Sequence, residues 1–173
     1  AAVARGRLYV IGGVGPAGLA RRALVFDLER RRWSTAPGPS PREHLAAAAW
    51  NGRVYALGGR LAGIDTNLGT LQSFGPGARR WVALPPVPHP RGGTGAAALA
   101  GQIVSVGGEE PGTTIASVYA YDIAARRWRR LDDLPTPRHG LGVAALAGRV
   151  YAIGGGPRPG LFVSDANESL ARP

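Results

Sequence analysis

Apolar and polar positions along the chain repeat in a fixed order. Four short apolar stretches end in a glycine pair: Arg7-Leu8-Tyr9-Val10-Ile11-Gly12-Gly13, Arg53-Val54-Tyr55-Ala56-Leu57-Gly58-Gly59, Gln102-Ile103-Val104-Ser105-Val106-Gly107-Gly108 and Arg149-Val150-Tyr151-Ala152-Ile153-Gly154-Gly155. The pairs stand 46, 49 and 47 residues apart. Before the last three copies lie runs of small apolar residues, Leu45 to Trp50, Gly95 to Ala100 and Leu141 to Ala147, joined on by the turns Asn51-Gly52, Ala100-Gly101 and Ala147-Gly148. Asn-Gly between apolar runs is a strong hairpin signal. After three of the glycine pairs comes a third segment (Ala23 to Asp27, Thr70 to Phe74, Ser117 to Asp122), then a tryptophan: Trp33, Trp81 or Trp128. Each unit thus predicts four antiparallel strands, the first rich in alanine, the second ending in Gly-Gly, the fourth centred on tryptophan.

A period near ~50 residues with four strands per unit is the mark of a β-propeller. The chain is therefore expected to be all-β. Strands one and two are apolar on both faces, which places them between neighbouring blades. Small residues such as Ala46 to Ala49 suit the crowded centre. Trp33, Trp81 and Trp128 are expected to be largely buried in the wider gaps further out.

The marks together resemble the kelch repeat: a Gly-Gly pair, an aromatic residue (Phe26, Phe74 or Tyr121) and, seven residues later, a tryptophan. The Pro-Arg pairs Pro41-Arg42, Pro90-Arg91 and Pro137-Arg138, each before strand one, fit the same family. The ending, Gly154 to Gly160 then Ser164 to Glu168, is similar to the last blade of bacterial kelch and galactose-oxidase-like proteins. The resemblance implies about three and a half blades, near residues 1–38, 39–87, 88–135 and 136–173, the first and last incomplete. It further implies that the chain is the C-terminal half of a larger propeller, closed by missing N-terminal blades or by a second copy.

Composition narrows the chemistry. Without cysteine, disulfides and thiolate metal sites are excluded. No apolar run approaches the ~18 residues of a membrane-spanning helix. All the basic residues are arginine, giving a net charge of +10. With abundant Ala, Gly and Pro, that usage points to a high-GC bacterial genome. Arg30 to Arg32, Arg79-Arg80 and Arg126-Arg127 fall in the turn between strands three and four, where a solvated outer hairpin discourages edge pairing. Nucleic acid is not expected as a partner, because no recognition element accompanies the charge.

Arg42, Arg91 and Arg138 occupy one position in three units, with His44, His89 and His139 beside them. If their loops converge on one mouth of the channel, the arginines, with His44 and His139, would receive a protein or an acidic small ligand through forked hydrogen bonds. The alternative is structural, each arginine capping backbone carbonyls. The histidines sit at different offsets from Pro-Arg, which argues against a metal site. Gly13-Val14-Gly15-Pro16-Ala17-Gly18 matches a dinucleotide fingerprint, but the four residues before the next strand leave no room for its helix. No cofactor is expected. The kelch resemblance implies a binding module. A second reading, a sugar binder or a carbohydrate-active enzyme such as a sugar-acid mutarotase, would need Glu43, Glu109 or Glu110 as its acid or base.

Overall fold

The computed structural model describes residues 1–171. The first blade is the sheet β1 (Ala2–Ala4), β2 (Arg7–Val10), β5 (Arg22–Asp27) and β6 (Arg32–Pro37), with a small hairpin, β3 (Val14–Gly15) and β4 (Gly18–Leu19), in the loop between β2 and β5. The second blade is β7 (Glu43–Trp50), β8 (Arg53–Arg60), β9 (Leu71–Phe74) and β10 (Val82–Leu84), with a 3-10 turn at Ile64–Thr66. The third is β11 (Gly95–Leu99), β12 (Gln102–Val106), β15 (Tyr119–Asp122) and β16 (Arg127–Arg130), with the hairpin β13 (Glu109–Glu110) and β14 (Thr113–Thr114). The last sheet has three strands, β17 (Gly142–Leu146), β18 (Arg149–Ile153) and β19 (Asn167–Ala171). Every pairing is antiparallel. The dinucleotide-like glycines form the β3–β4 hairpin, so no helix is present to meet a pyrophosphate. Residues 172 and 173 of the last expected blade lie outside the described residues.

Local chemistry explains the strand ends. The turns Arg5-Gly6, Asn51-Gly52, Ala100-Gly101 and Ala147-Gly148 have positive φ at both residues, the geometry that matches the twist of a two-residue hairpin. Innermost strands of successive blades pack against one another, β1 on β7, β7 on β11 and β11 on β17. The core consists of three layers between blades. Ala23, Val54 and Ala56 lie in the first, Tyr55, Leu57, Ile103 and Tyr121 in the second, Val104, Ala120, Val150 and Ala152 in the third.

The tryptophans depart from expectation. Trp81 and Trp128 are half-buried and Trp33 is 58% exposed. The reason is directional: each tryptophan packs toward the blade before it. Trp81 donates Nε1–H to the Pro37 carbonyl at 2.8 Å and stacks on Phe74 at 5.3 Å. Trp128 donates to the Pro85 carbonyl at 2.8 Å. Among the described residues no blade precedes Trp33, so it meets only Phe26 of its own sheet. The complementary feature lies at the other end. An apolar cavity of about 170 Å³, lined by Val106, Val118, Leu134, Val150 and Leu170, occupies the last junction between blades.

Candidate functional site at the channel mouth

The second glycine of each of the first three pairs donates its N–H to the carbonyl of the next blade's Pro-Arg arginine: Gly13 to Arg42 at 3.0 Å, Gly59 to Arg91 at 2.8 Å, Gly108 to Arg138 at 3.0 Å. The first glycine permits that approach. A Cβ on Gly58, whose φ is +62°, would lie 2.6 Å from the Arg91 oxygen. The arginine side chain then turns back into its own blade. Arg42 donates from Nε to the Gly58 carbonyl at 2.6 Å and from its Nη atoms to Ser40, Gln72 and the Ala56 carbonyl. Arg91 donates to the carbonyls of His89, Gly107 and Ser117 and to the Ser117 hydroxyl. Arg138 donates to the Thr136 and Ala152 carbonyls and to Glu168 Oε2 at 2.7 Å.

These contacts correct the ligand-binding expectation for Arg42, Arg91 and Arg138. All three are completely buried, and apart from Arg138 Nε, which has no partner among the described residues, their donor atoms are engaged within their own blades. Arginine suits the role because its fork satisfies several carbonyls at once. Burial lowers the Arg42 and Arg91 guanidiniums to about 10, so both remain cations at neutral pH.

The surface of the mouth is built from neighbouring positions. The residue after each Pro-Arg faces the residue after Gly-Gly: Glu43 opposite Arg60, Gly92 opposite Glu109, His139 opposite Gly156. Arg60 is the hub. Its Nε donates to Glu43 Oε1 and its Nη1 to Glu109 Oε1, both at 3.0 Å, and its Nη2 lies 3.0 Å from His44 Nε2. His44 Nδ1 is 3.3 Å from Glu43 Oε2, so this ring donates from Nδ1 and accepts at Nε2. His139 faces two acceptors, Glu109 Oε2 at 3.5 Å and the Arg158 carbonyl at 3.0 Å. Asn67 donates to the Glu109 carbonyl at 2.6 Å. One network therefore spans three blades.

The expected site residues divide accordingly. His44, His139, Glu43 and Glu109 come together. Glu110 stands apart, its Oε2 2.8 Å from His89 Nε2. Glu109 is 4% exposed, so its carboxylate is buried in this network. The acid–base candidates are thus all paired with cations or imidazoles. Arg60 and Asn67 escaped the sequence reading. The available signal was positional, since Arg60 follows Gly-Gly just as Glu109 does.

One backbone feature singles out His44. Its φ is +52°, and the equivalent positions are Gly93 and Gly140, at +64° and +62°. Carbonyl-to-amide bonds link the three, Gly93 N–H to His44 O at 2.9 Å and Gly140 N–H to Gly93 O at 2.8 Å. A side chain in the left-handed region where two other blades use glycine is a strained choice, and such outliers cluster at functional sites.

Residues 1–155 match the KLHDC2/KLHL20/DRC7 Kelch-repeats domain. The chain belongs to the kelch-repeat family. Kelch-like protein 35 of Mus musculus is 28% identical over 120 residues, 68% of this chain and 20% of its own length. Multiple epidermal growth factor-like domains protein 8 of Homo sapiens is 39% identical over 98 residues, 46% of this chain and 3% of its own. F-box protein AFR of Arabidopsis thaliana is 29% identical over 85 residues, 49% of this chain and 22% of its own. The chain thus spans about a fifth or less of these relatives. All three are eukaryotic, and none carries the bacterial or galactose-oxidase-like part of the expectation. Among the described residues no helix is long and apolar enough to cross a membrane.

Proposed function

We propose that this kelch module binds a protein partner through the mouth formed by its two–three and four–one loops. The observation that carries the reading is His44. It holds the only side chain at a left-handed position shared by three blades, and it is tied into the Glu43–Arg60–Glu109–His139 network. With the three buried arginines withdrawn, the mouth is of mixed charge rather than basic, which suits a protein surface better than a small anion. Exposed apolar side chains add contact area on the neighbouring loop: Leu161 at 104%, Phe162 at 49% and Val163 at 88%. That loop is tied to the mouth through the Arg158 carbonyl and His139.

The test compares wild type with His44→Gly and with Leu161→Asp/Phe162→Asp, each checked for an unchanged melting temperature. His44→Gly relieves backbone strain, so it folds at least as stably. Partners captured by the wild type and lost with both variants support the mouth. Partners retained by both variants refute it.

A further inference from the structure

The last junction between blades lacks a part that the two before it have. In the second junction Leu57, Leu71, Val87 and Ile103 belong to the cluster against which Trp128 packs. One blade further on, the repeat puts Val106, Val118, Leu134 and Val150 at those positions. All of them line the apolar cavity of about 170 Å³. An engineered apolar cavity of about 150 Å³ holds a benzene ring, so the space suits an aromatic side chain.

The hydrogen-bond acceptor is also in place. Trp81 and Trp128 donate Nε1–H to the carbonyls of Pro37 and Pro85, which stand four residues after Trp33 and Trp81 in sequence. Four residues after Trp128 stands Asp132, which lines the cavity. Among the described residues no turn or loop N–H is bonded to its carbonyl. The neighbouring strand matches as well. Phe26 pairs with Trp33 and Tyr121 with Trp128 across strands three and four. Leu170 of β19 takes that aromatic position, paired with Val150 as Tyr121 is with Ile103. Among the described residues no fourth strand follows β19 in its sheet, so its outer edge is a template for one.

We infer that the last junction is a docking site for a tryptophan-bearing strand from outside these 173 residues. The strand adds antiparallel to β19. Its indole enters the cavity and donates to the Asp132 carbonyl, while its main chain pairs with the open edge. In such additions the backbone bonds give affinity and the side-chain pocket gives specificity. An indole fits because this chain fills the two preceding junctions with one, using walls and an acceptor at the same repeat positions. A second copy is a poorer source, because its Trp33, Trp81 and Trp128 already pair or stack across their own sheets. This site is independent of the mouth.

The experiment is fluorescence anisotropy on the full chain, below the concentration at which it self-associates. The probe is a labelled peptide with the sequence of residues 79–86, a strand-four segment of this chain. Alanine in place of the peptide's tryptophan lowers affinity at least about tenfold, as loss of a central aromatic anchor does. N-methylation of successive peptide nitrogens abolishes binding, and N-acetyltryptophanamide alone binds more weakly than the peptide. Val118→Phe, which fills the cavity, weakens binding as well. Should Val118→Phe lower the melting temperature, hydrogen exchange on the wild type decides: the amides of Asn167 to Ala171 gain protection when the peptide is added. His44→Gly leaves binding unchanged, which separates this site from the mouth. Binding that is indifferent to the tryptophan or to N-methylation, or that leaves the β19 amides unprotected, overturns the proposal. So does self-association through β19 that Trp33→Ala abolishes, which gives the cavity to a second copy.

Discussion

At the scale of the residue, the arginine of Pro-Arg is the least replaceable polar group in the chain. Its carbonyl holds the preceding blade and its guanidinium holds its own. Removing the Arg91 side chain leaves the buried carbonyls of Gly107 and Ser117 without donors, each a cost of about 1–3 kcal/mol. Arg91→Ala is accordingly expected to destabilise the chain by about 3 kcal/mol in chemical denaturation, and Arg91→Lys to recover only part of the loss. An unchanged midpoint in Arg91→Ala would return the arginine to the surface role first expected of it. Glu168 supplies a pH handle. Burial pushes its carboxyl up, but hydrogen bonds from Thr136 and Arg138 outweigh that and hold it below its ordinary 4.5. A carboxylate with a depressed folded value stabilises above the unfolded value and loses that contribution as pH falls through the folded one. Glu168→Gln is therefore expected to lower the melting temperature at neutral pH, with the gap from wild type closing on acidification. A constant gap would show that the ionised form is not what matters.

At the scale of the element, the blade is a unit whose tryptophan serves its neighbour. Trp81→Ala removes the stack on Phe74 and the bond to the Pro37 carbonyl, and is expected to cost about 3 kcal/mol, the low end for a buried aromatic. Trp33, exposed and without a preceding blade, is expected to cost under about 1 kcal/mol when truncated. Equal losses in denaturation would contradict the directional packing. The hairpin turns offer a test in the opposite sense. Ala100 has a φ of +50°, where asparagine is tolerated better than alanine. Ala100→Asn is expected to raise the midpoint by the equivalent of about 0.5 kcal/mol; a fall would mean that the alanine makes a contact outweighing its strain.

At the scale of the whole molecule, two blade faces lack neighbours among the described residues. One shows Val3, Val10, Leu24 and Trp33, the other Leu146 and Ile153, each between 37% and 69% exposed. Apolar faces of this kind, beside unpaired strand edges, seek cover. The 173-residue chain studied alone is expected to self-associate at tens of micromolar despite its charge. Light scattering that reports a clean monomer would show that the open faces are tolerated.

Local patterning carried the architecture. The spacing of Gly-Gly, aromatic and tryptophan specified the strand order within a blade and the hairpin turns, because left-handed glycines and alternating apolar faces act through neighbours in sequence; the first blade, expected incomplete, has all four strands. The phase of the repeat likewise brought Glu43, His44, Glu109 and His139 to one mouth. Three things depended on packing between blades. The Pro-Arg arginines turn inward because buried strand-end carbonyls need donors, a demand created only when blades meet. Arg60 becomes the hub because Glu43 in its own blade and Glu109 in the next both reach its guanidinium. Trp33 stands exposed while Trp81 and Trp128 pack, although the three share one motif, because burial belongs to the junction between two blades and not to the residue.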